Sequence, residues 1–161
     1  MIKKIFIIAL SWILVLATMV MITNFSKEDA IESSETSQGV VKDVLDIVLP
    51  EEEITPQKIN EYQPTIRTLA HFGIFMLLGF CLANAFRATL KINILFSYAC
   101  SMIASILYAV FDELYQGHTG RATEVKDVLI DSLGALCGIV LFALFFFLYF
   151  KISSRKNKNP S

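Results

Sequence analysis

The chain has 161 residues, 55% of them apolar and 18% charged, with a mean hydropathy of +0.58. Soluble domains are about 45–50% apolar and about 25% charged, and here the apolar residues are blocked into long runs. A single soluble core wrapped in polar surface is therefore the wrong class. A net charge of -1 and a pI near 6.1, with no basic groove and no C/H finger spacing, argue against disorder and nucleic-acid binding.

Four runs reach the roughly 20 apolar residues that a helix needs to cross a bilayer core about 30 Å thick. They fall at about 5–23, 69–86, 92–111 and 128–150. None has the period-2 alternation of barrel strands, so the expected class is an all-α membrane protein with four transmembrane helices. Lys3 and Lys4 before the first run also suit a secretory signal peptide. The run outlasts an h-region of about 7–15 residues and no A-x-A-like site follows, so an uncleaved anchor is expected. Residues 24–67 form one long loop, with 26–39 reading as a flexible Ser/Thr/Glu-rich linker. Val41, Val44, Leu45 and Val48 then recur at helical spacing, suggesting an amphipathic turn or two on the outer membrane surface. Glu51, Glu52 and Glu53 read as a solvated face. Cys81, Cys100 and Cys137 lie in apolar stretches and read as buried hydrophobes rather than a disulfide framework. The whole of 1–161 reads as a single membrane domain.

Charge gives the orientation. Lys3, Lys4, Arg87, Lys91, Lys151, Arg155, Lys156 and Lys158 flank the spans on one side without a single acid, while all 15 Asp and Glu fall on the other. By the positive-inside rule both termini are cytoplasmic and the loop 24–67 is extracytoplasmic, in a multi-pass protein of the cell membrane. The lipid bilayer is the expected partner, and the basic tail is a topology signal and headgroup contact.

Ionisable groups in a span cost about 2.5–3.5 kcal/mol at its centre, so their clustering asks for a reason. His71 lies in the first turn of the second span, Asp112 and Glu113 at the outer end of the third, and Asp127 and Asp131 at the outer start of the fourth. Gln116, His118, Arg121 and Glu124 occupy the connection between the last two. Asp127, Asp131, Gly134 and Gly138 form one stripe of the fourth span, its glycines a GxxxG step. Ser97, Ser101, Ser105, Tyr108 and Asp112 form a small polar stripe of the third. The expectation is that these two spans pack through the two stripes, bringing their acidic ends beside His71 in an outward-facing polar pocket. Asp127 and Glu124 also suit a helix N-terminus, and Asp131 suits a buried pair with Arg121 or His71. His71 is either a satisfied structural histidine or a proton-handling or ligand-binding one. Arg121 is either a turn residue neutralising the local acids or an anion fork, and His118 is expected to be exposed.

The run Tyr108-Ala-Val-Phe-Asp112-Glu113-Leu-Tyr-Gln116, then Gly120-Arg121, then Asp127-Val-Leu-Ile-Asp131-Ser-Leu-Gly134 and Gly138, resembles the signature of the VanZ-like family of bacterial membrane proteins. Ile66-Arg67-Thr68-Leu69-Ala70-His71-Phe72, with Phe75 and Gly79 beyond, is similar to that family's histidine motif, and together the motifs cover about 62–140. Thr68 stands where the family usually has a lysine, and Phe75 where it commonly has a tyrosine. The resemblance implies a small multi-helix membrane protein; the founding member is associated with resistance to the glycopeptide teicoplanin.

Three functions could use such a pocket. In a non-catalytic modulator of glycopeptide susceptibility, Arg121, Gln116, Asp127 and Asp131 bind a glycopeptide-related ligand or a lipid-linked envelope precursor. In an outer-leaflet enzyme acting on a lipid-linked or phosphate-bearing substrate, Glu113 or Asp112 is the general base, His71 an acid or base and Arg121 the anion clamp. A small transporter would call for midplane charges or broken helices, which the pattern lacks. No recognised metal motif is present and no cofactor or metal is expected, although a divalent ion among Asp112, Glu113 and Asp127 stays open. Oligomeric state is not readable.

Overall fold

The computed structural model describes residues 2–27, 30–48, 54–90, 92–118 and 123–158, and among them it is all-helical. Five helices follow in order: α1 (Ile2–Lys27), α2 (Ala30–Val48), α3 (Pro56–Thr89), α4 (Ile94–His118) and α5 (Val125–Lys158). Four of them, α1, α3, α4 and α5, are long and apolar enough to cross a membrane, as the four runs of the sequence predict. Their outer surfaces carry exposed Phe6, Leu95, Leu107, Leu133 and Phe147, which only a lipid environment satisfies. The chain is a multi-pass membrane protein.

Local chemistry sets the helix ends. Thr55 caps α3, its hydroxyl accepting the Lys58 N–H at 3.4 Å, and Pro56 follows in the first turn, where a missing N–H costs nothing. At its other end α3 stops at Leu90, whose extended backbone still donates to the Phe86 carbonyl at 2.8 Å. The Asn93 side chain accepts the Leu95 N–H at 2.9 Å at the start of α4.

The central helix is α3, which packs against all four others and most extensively against α5. The reason lies in three glycines. A Cβ on Gly134 would overlap the Phe72 carbonyl, one on Gly138 the Met76 carbonyl and the Phe80 amide, and one on Gly79 the Ala135 carbonyl. The two backbones thus touch directly over two turns, as small residues permit in a bilayer. This corrects the expected pairing: the glycine stripe of the fourth span meets the second span, not the third. The serine stripe of α4 does not need α5, because Ser101 and Ser105 return their hydroxyls to the Ser97 and Ser101 carbonyls at 2.8 and 2.9 Å. All three serines are buried, and their small size brings α4 close to its neighbours.

The first span is more than an anchor. Ser11, Val15, Thr18, Ile22 and Ser26 recur at i, i+4, i+7, i+11 and i+15, and all five are buried. Asn84 of α3 donates to Ser11 Oγ at 3.0 Å, and Trp12 donates to Thr89 Oγ1 at 2.9 Å. The Tyr108 hydroxyl donates to the Met19 carbonyl at 2.7 Å and lies 2.8 Å from Thr23 Oγ1, so its oxygen is left to accept from Thr23.

The described residues of 26–39 are helical rather than a linker: Ser26 lies in the last turn of α1, which ends at Lys27, and α2 begins at Ala30. The amphipathic stretch is likewise a full helix, with Val41 and Leu45 buried and α3 its packing partner among the described elements. Polar composition masked the first part of α2, which offers too few apolar positions to show a helical period. Glu51, Glu52 and Glu53 lie outside the described residues. Among the cysteines, Cys81 is buried, Cys100 half-buried and Cys137 exposed. Cys137 precedes Gly138 on α5, so it points away from the face that the glycines press onto α3.

Candidate functional site

Three helices each deliver one side chain to a single point at the end of the bundle opposite the terminal lysines. Gly134 seats α5 on the Phe72 carbonyl of α3, so Asp131, one turn earlier on the same stripe, comes level with His71. From α4 comes Asp112. His71 Nδ1 lies 4.0 Å from Asp112 Oδ2 and 4.0 Å from Asp131 Oδ2. The imidazole keeps 19% of its side-chain surface exposed, the two carboxylates 2% and 5%, so His71 is the member that a ligand can reach. Of the expected convergence beside His71, the approach of Asp112 and Asp131 is present, and it comes about through α3–α5 packing.

The two carboxylates differ in support. Ser26 Oγ donates to Asp112 Oδ1 at 2.7 Å, and Gln116 Nε2 donates to Asp112 Oδ2 at 2.8 Å. Ser26 also has the Ile22 carbonyl at 3.0 Å, but its single proton favours the shorter bond to the acid. Asp131 is 4% exposed and has no hydrogen-bond donor among the described residues; its partner is the imidazole. Burying a carboxylate without donors is costly, and packing alone gives no reason for an acid at this position.

The remaining expected site residues are distributed around this trio. Glu113 is buried, but its Oε1 accepts the Glu124 N–H at 2.6 Å, and the Glu124 carbonyl accepts the Asp127 N–H at 2.9 Å. Glu113 thereby fastens the entry of α5 and satisfies one of its orphan donors. Asp127 is half-buried in the first turn of α5. Gln116 is buried and serves Asp112. His118 is exposed, as expected, with Nδ1 2.9 Å from the Leu114 carbonyl. Arg121 lies outside the described residues. His71, Asp112 and Asp131 offer ligand atoms all within 4.8 Å of one another, a set able to hold a metal ion. That set differs from the Asp112, Glu113 and Asp127 group left open by the sequence.

Sequence reasoning missed Ser26, which it placed in a linker. The signal was present: Ser26 completes the buried stripe that begins at Ser11. Ser26→Ala is expected to cost about 1.5–3 kcal/mol, the worth of a hydrogen bond to a charged group. Thermal unfolding in detergent checks this, and an unchanged Tm would remove Ser26 from the support of Asp112.

A family model described as VanZ/LLP1 matches residues 11–147. The chain belongs to the VanZ/LLP1 family. No curated protein and no solved structure matches it. The matched region reaches back to Ser11, well before the motifs that carry the resemblance, so the VanZ/LLP1 unit includes the buried stripe of α1 along with His71, Asp112 and Asp131. At the position of the usual VanZ-like lysine, the Thr68 hydroxyl donates to the Pro64 carbonyl at 3.0 Å. This site therefore carries no cation at that position.

Proposed function

We propose that this VanZ/LLP1 protein lowers the susceptibility of the cell envelope to glycopeptide antibiotics such as teicoplanin, through the polar site around His71 at the outer face of the cell membrane. The observation that carries the reading is the meeting of His71, Asp112 and Asp131 from three separate helices, one member part-exposed and two buried. Orientation comes from the lysines and arginines at the opposite end, which the positive-inside rule assigns to the cytoplasm together with both termini. Family membership supports the antibiotic class, and the site would meet a glycopeptide-related ligand or a lipid-linked envelope precursor.

A second reading, an outer-leaflet enzyme on a phosphate-bearing or lipid-linked substrate, is favoured by one feature. Asp131 faces His71 without a hydrogen-bond donor of its own among the described residues, an arrangement suited to passing a proton between imidazole and carboxylate. In that reading His71 and Asp131 are the acid–base pair. Asp112 positions the imidazole, and Glu113, engaged by Glu124, fastens the entry of α5 that carries Asp127.

Teicoplanin susceptibility of a sensitive Gram-positive host tests the proposal. Expression of wild type is expected to raise the inhibitory concentration several-fold, and His71→Ala and Asp131→Asn to abolish the rise at matched membrane levels. No wild-type effect would remove the glycopeptide role; full activity of both variants would move the function away from this site.

A further inference from the structure

We propose that His71 Nδ1, Asp112 Oδ2 and Asp131 Oδ2 form a binding site for one divalent transition-metal cation of the zinc or manganese type. The inference deepens the function proposed above and rests on its reading of the three side chains as one functional unit.

Distance is the first argument. Nδ1 stands 4.0 Å from each carboxylate oxygen, too far for the hydrogen bonds of about 2.7–2.9 Å that a directly paired His and Asp would make. Ligands gathered around a tetrahedral zinc are instead spaced about 3.3–3.6 Å, from bonds of about 2.0–2.2 Å. One ligand atom from each residue lies within 4.8 Å of the other two, so a common point exists at about 2.8 Å or less from all three, against zinc–ligand bonds of about 2.0–2.2 Å. Small side-chain rotations close that gap to zinc-ligand length.

Asp131 supplies the second, independent argument. It is more than nine-tenths buried, directed at the shared point, and without a hydrogen-bond donor among the described residues. Two buried carboxyl groups facing one imidazole offer anionic oxygen ligands that a dication would stabilise in their ionised form. The supporting shell also has the form of a metal site: Ser26 and Gln116 orient Asp112 from outside the trio. One imidazole among three ligands selects transition cations over magnesium and calcium. Three protein ligands leave a coordination position open for an anionic oxygen or a water, reached from the exposed edge of His71.

The test uses the full chain, purified in detergent, stripped with chelator and titrated separately with Zn2+, Mn2+ and Mg2+. Wild type is expected to take up one Zn2+ per chain, Mn2+ more weakly and Mg2+ weakest. Asp131→Asn and His71→Ala should lose stoichiometric uptake, while Ser26→Ala should weaken it by about 10–100-fold as the loss of an outer-shell support. His118→Ala, at the exposed histidine, should bind like wild type. Absence of stoichiometric uptake by wild type, or equal affinity in a monodisperse Asp131→Asn protein, would overturn the proposal. Because binding is read on purified protein, a failed susceptibility test in cells leaves this result standing, and a failed titration leaves the susceptibility result standing.

Discussion

Gly138→Ala is expected to force α3 and α5 apart and to destabilise the protein by about 1–3 kcal/mol or more, the usual range for overpacking a tight contact. The added methyl has no space to enter, because the Met76 carbonyl and the Phe80 amide already occupy its position. Backbone cannot swing aside as a flexible side chain would, so the helices must separate or slide. Either movement shifts Asp131 away from His71, since the same glycine stripe sets their level. Gly73→Ala is the matched control: a Cβ there meets nothing within 4 Å, and exchange of a helical glycine for alanine stabilises by about 1 kcal/mol. Thermal unfolding of the two variants in detergent should therefore move in opposite directions. A Gly138→Ala protein as stable as wild type would mean that α3 and α5 do not meet backbone to backbone.

This contact also shows what a sequence can and cannot reveal. Hydropathy located the spans, because lipid demands long apolar runs, and helical arithmetic placed Asp131, Gly134 and Gly138 on one stripe. Neither could say which neighbour that stripe would meet. Gly79, the complementary notch on α3, was visible only as part of a motif. Convergence of His71, Asp112 and Asp131 was legible because all three ends lie at one membrane level. Their differing support was not, since it depends on Ser26, which arrives from a helix 86 residues away in sequence. In α1 an unbroken apolar run concealed the buried polar stripe: strong overall hydropathy hides a face on which only every third or fourth residue is small or hydroxylated. In α2 the reverse held: Val41 and Leu45 showed a helical period, but the polar residues before them were so many that the first part of the helix looked like a linker.

The unequal support of the two carboxylates leads to opposite expectations for two isosteric changes. Asp112 accepts from Ser26 and Gln116. In Asp112→Asn the new amide can accept at one end only, so one buried donor loses its acceptor and the surviving bond loses its charge. That should cost about 1.5–3 kcal/mol. Asp131 has no such donors among the described residues, so Asp131→Asn exchanges a buried carboxyl group without breaking a hydrogen bond among them. It also brings an amide that can donate toward Asp112 or His71. Exchanging a buried carboxyl group that no hydrogen bond supports should therefore leave stability about unchanged or raise it. Measured with chelator present, Tm should fall for Asp112→Asn and hold or rise for Asp131→Asn, at about 2–4 °C per kcal/mol for a chain of this size. Both changes should nevertheless eliminate function, because each removes a carboxylate from the trio. A stable but inactive Asp131→Asn protein would mark Asp131 as a residue retained for chemistry at the expense of stability. An equally destabilised pair would instead make the trio a structural clamp, with His71 bridging two helices and no ligand to serve.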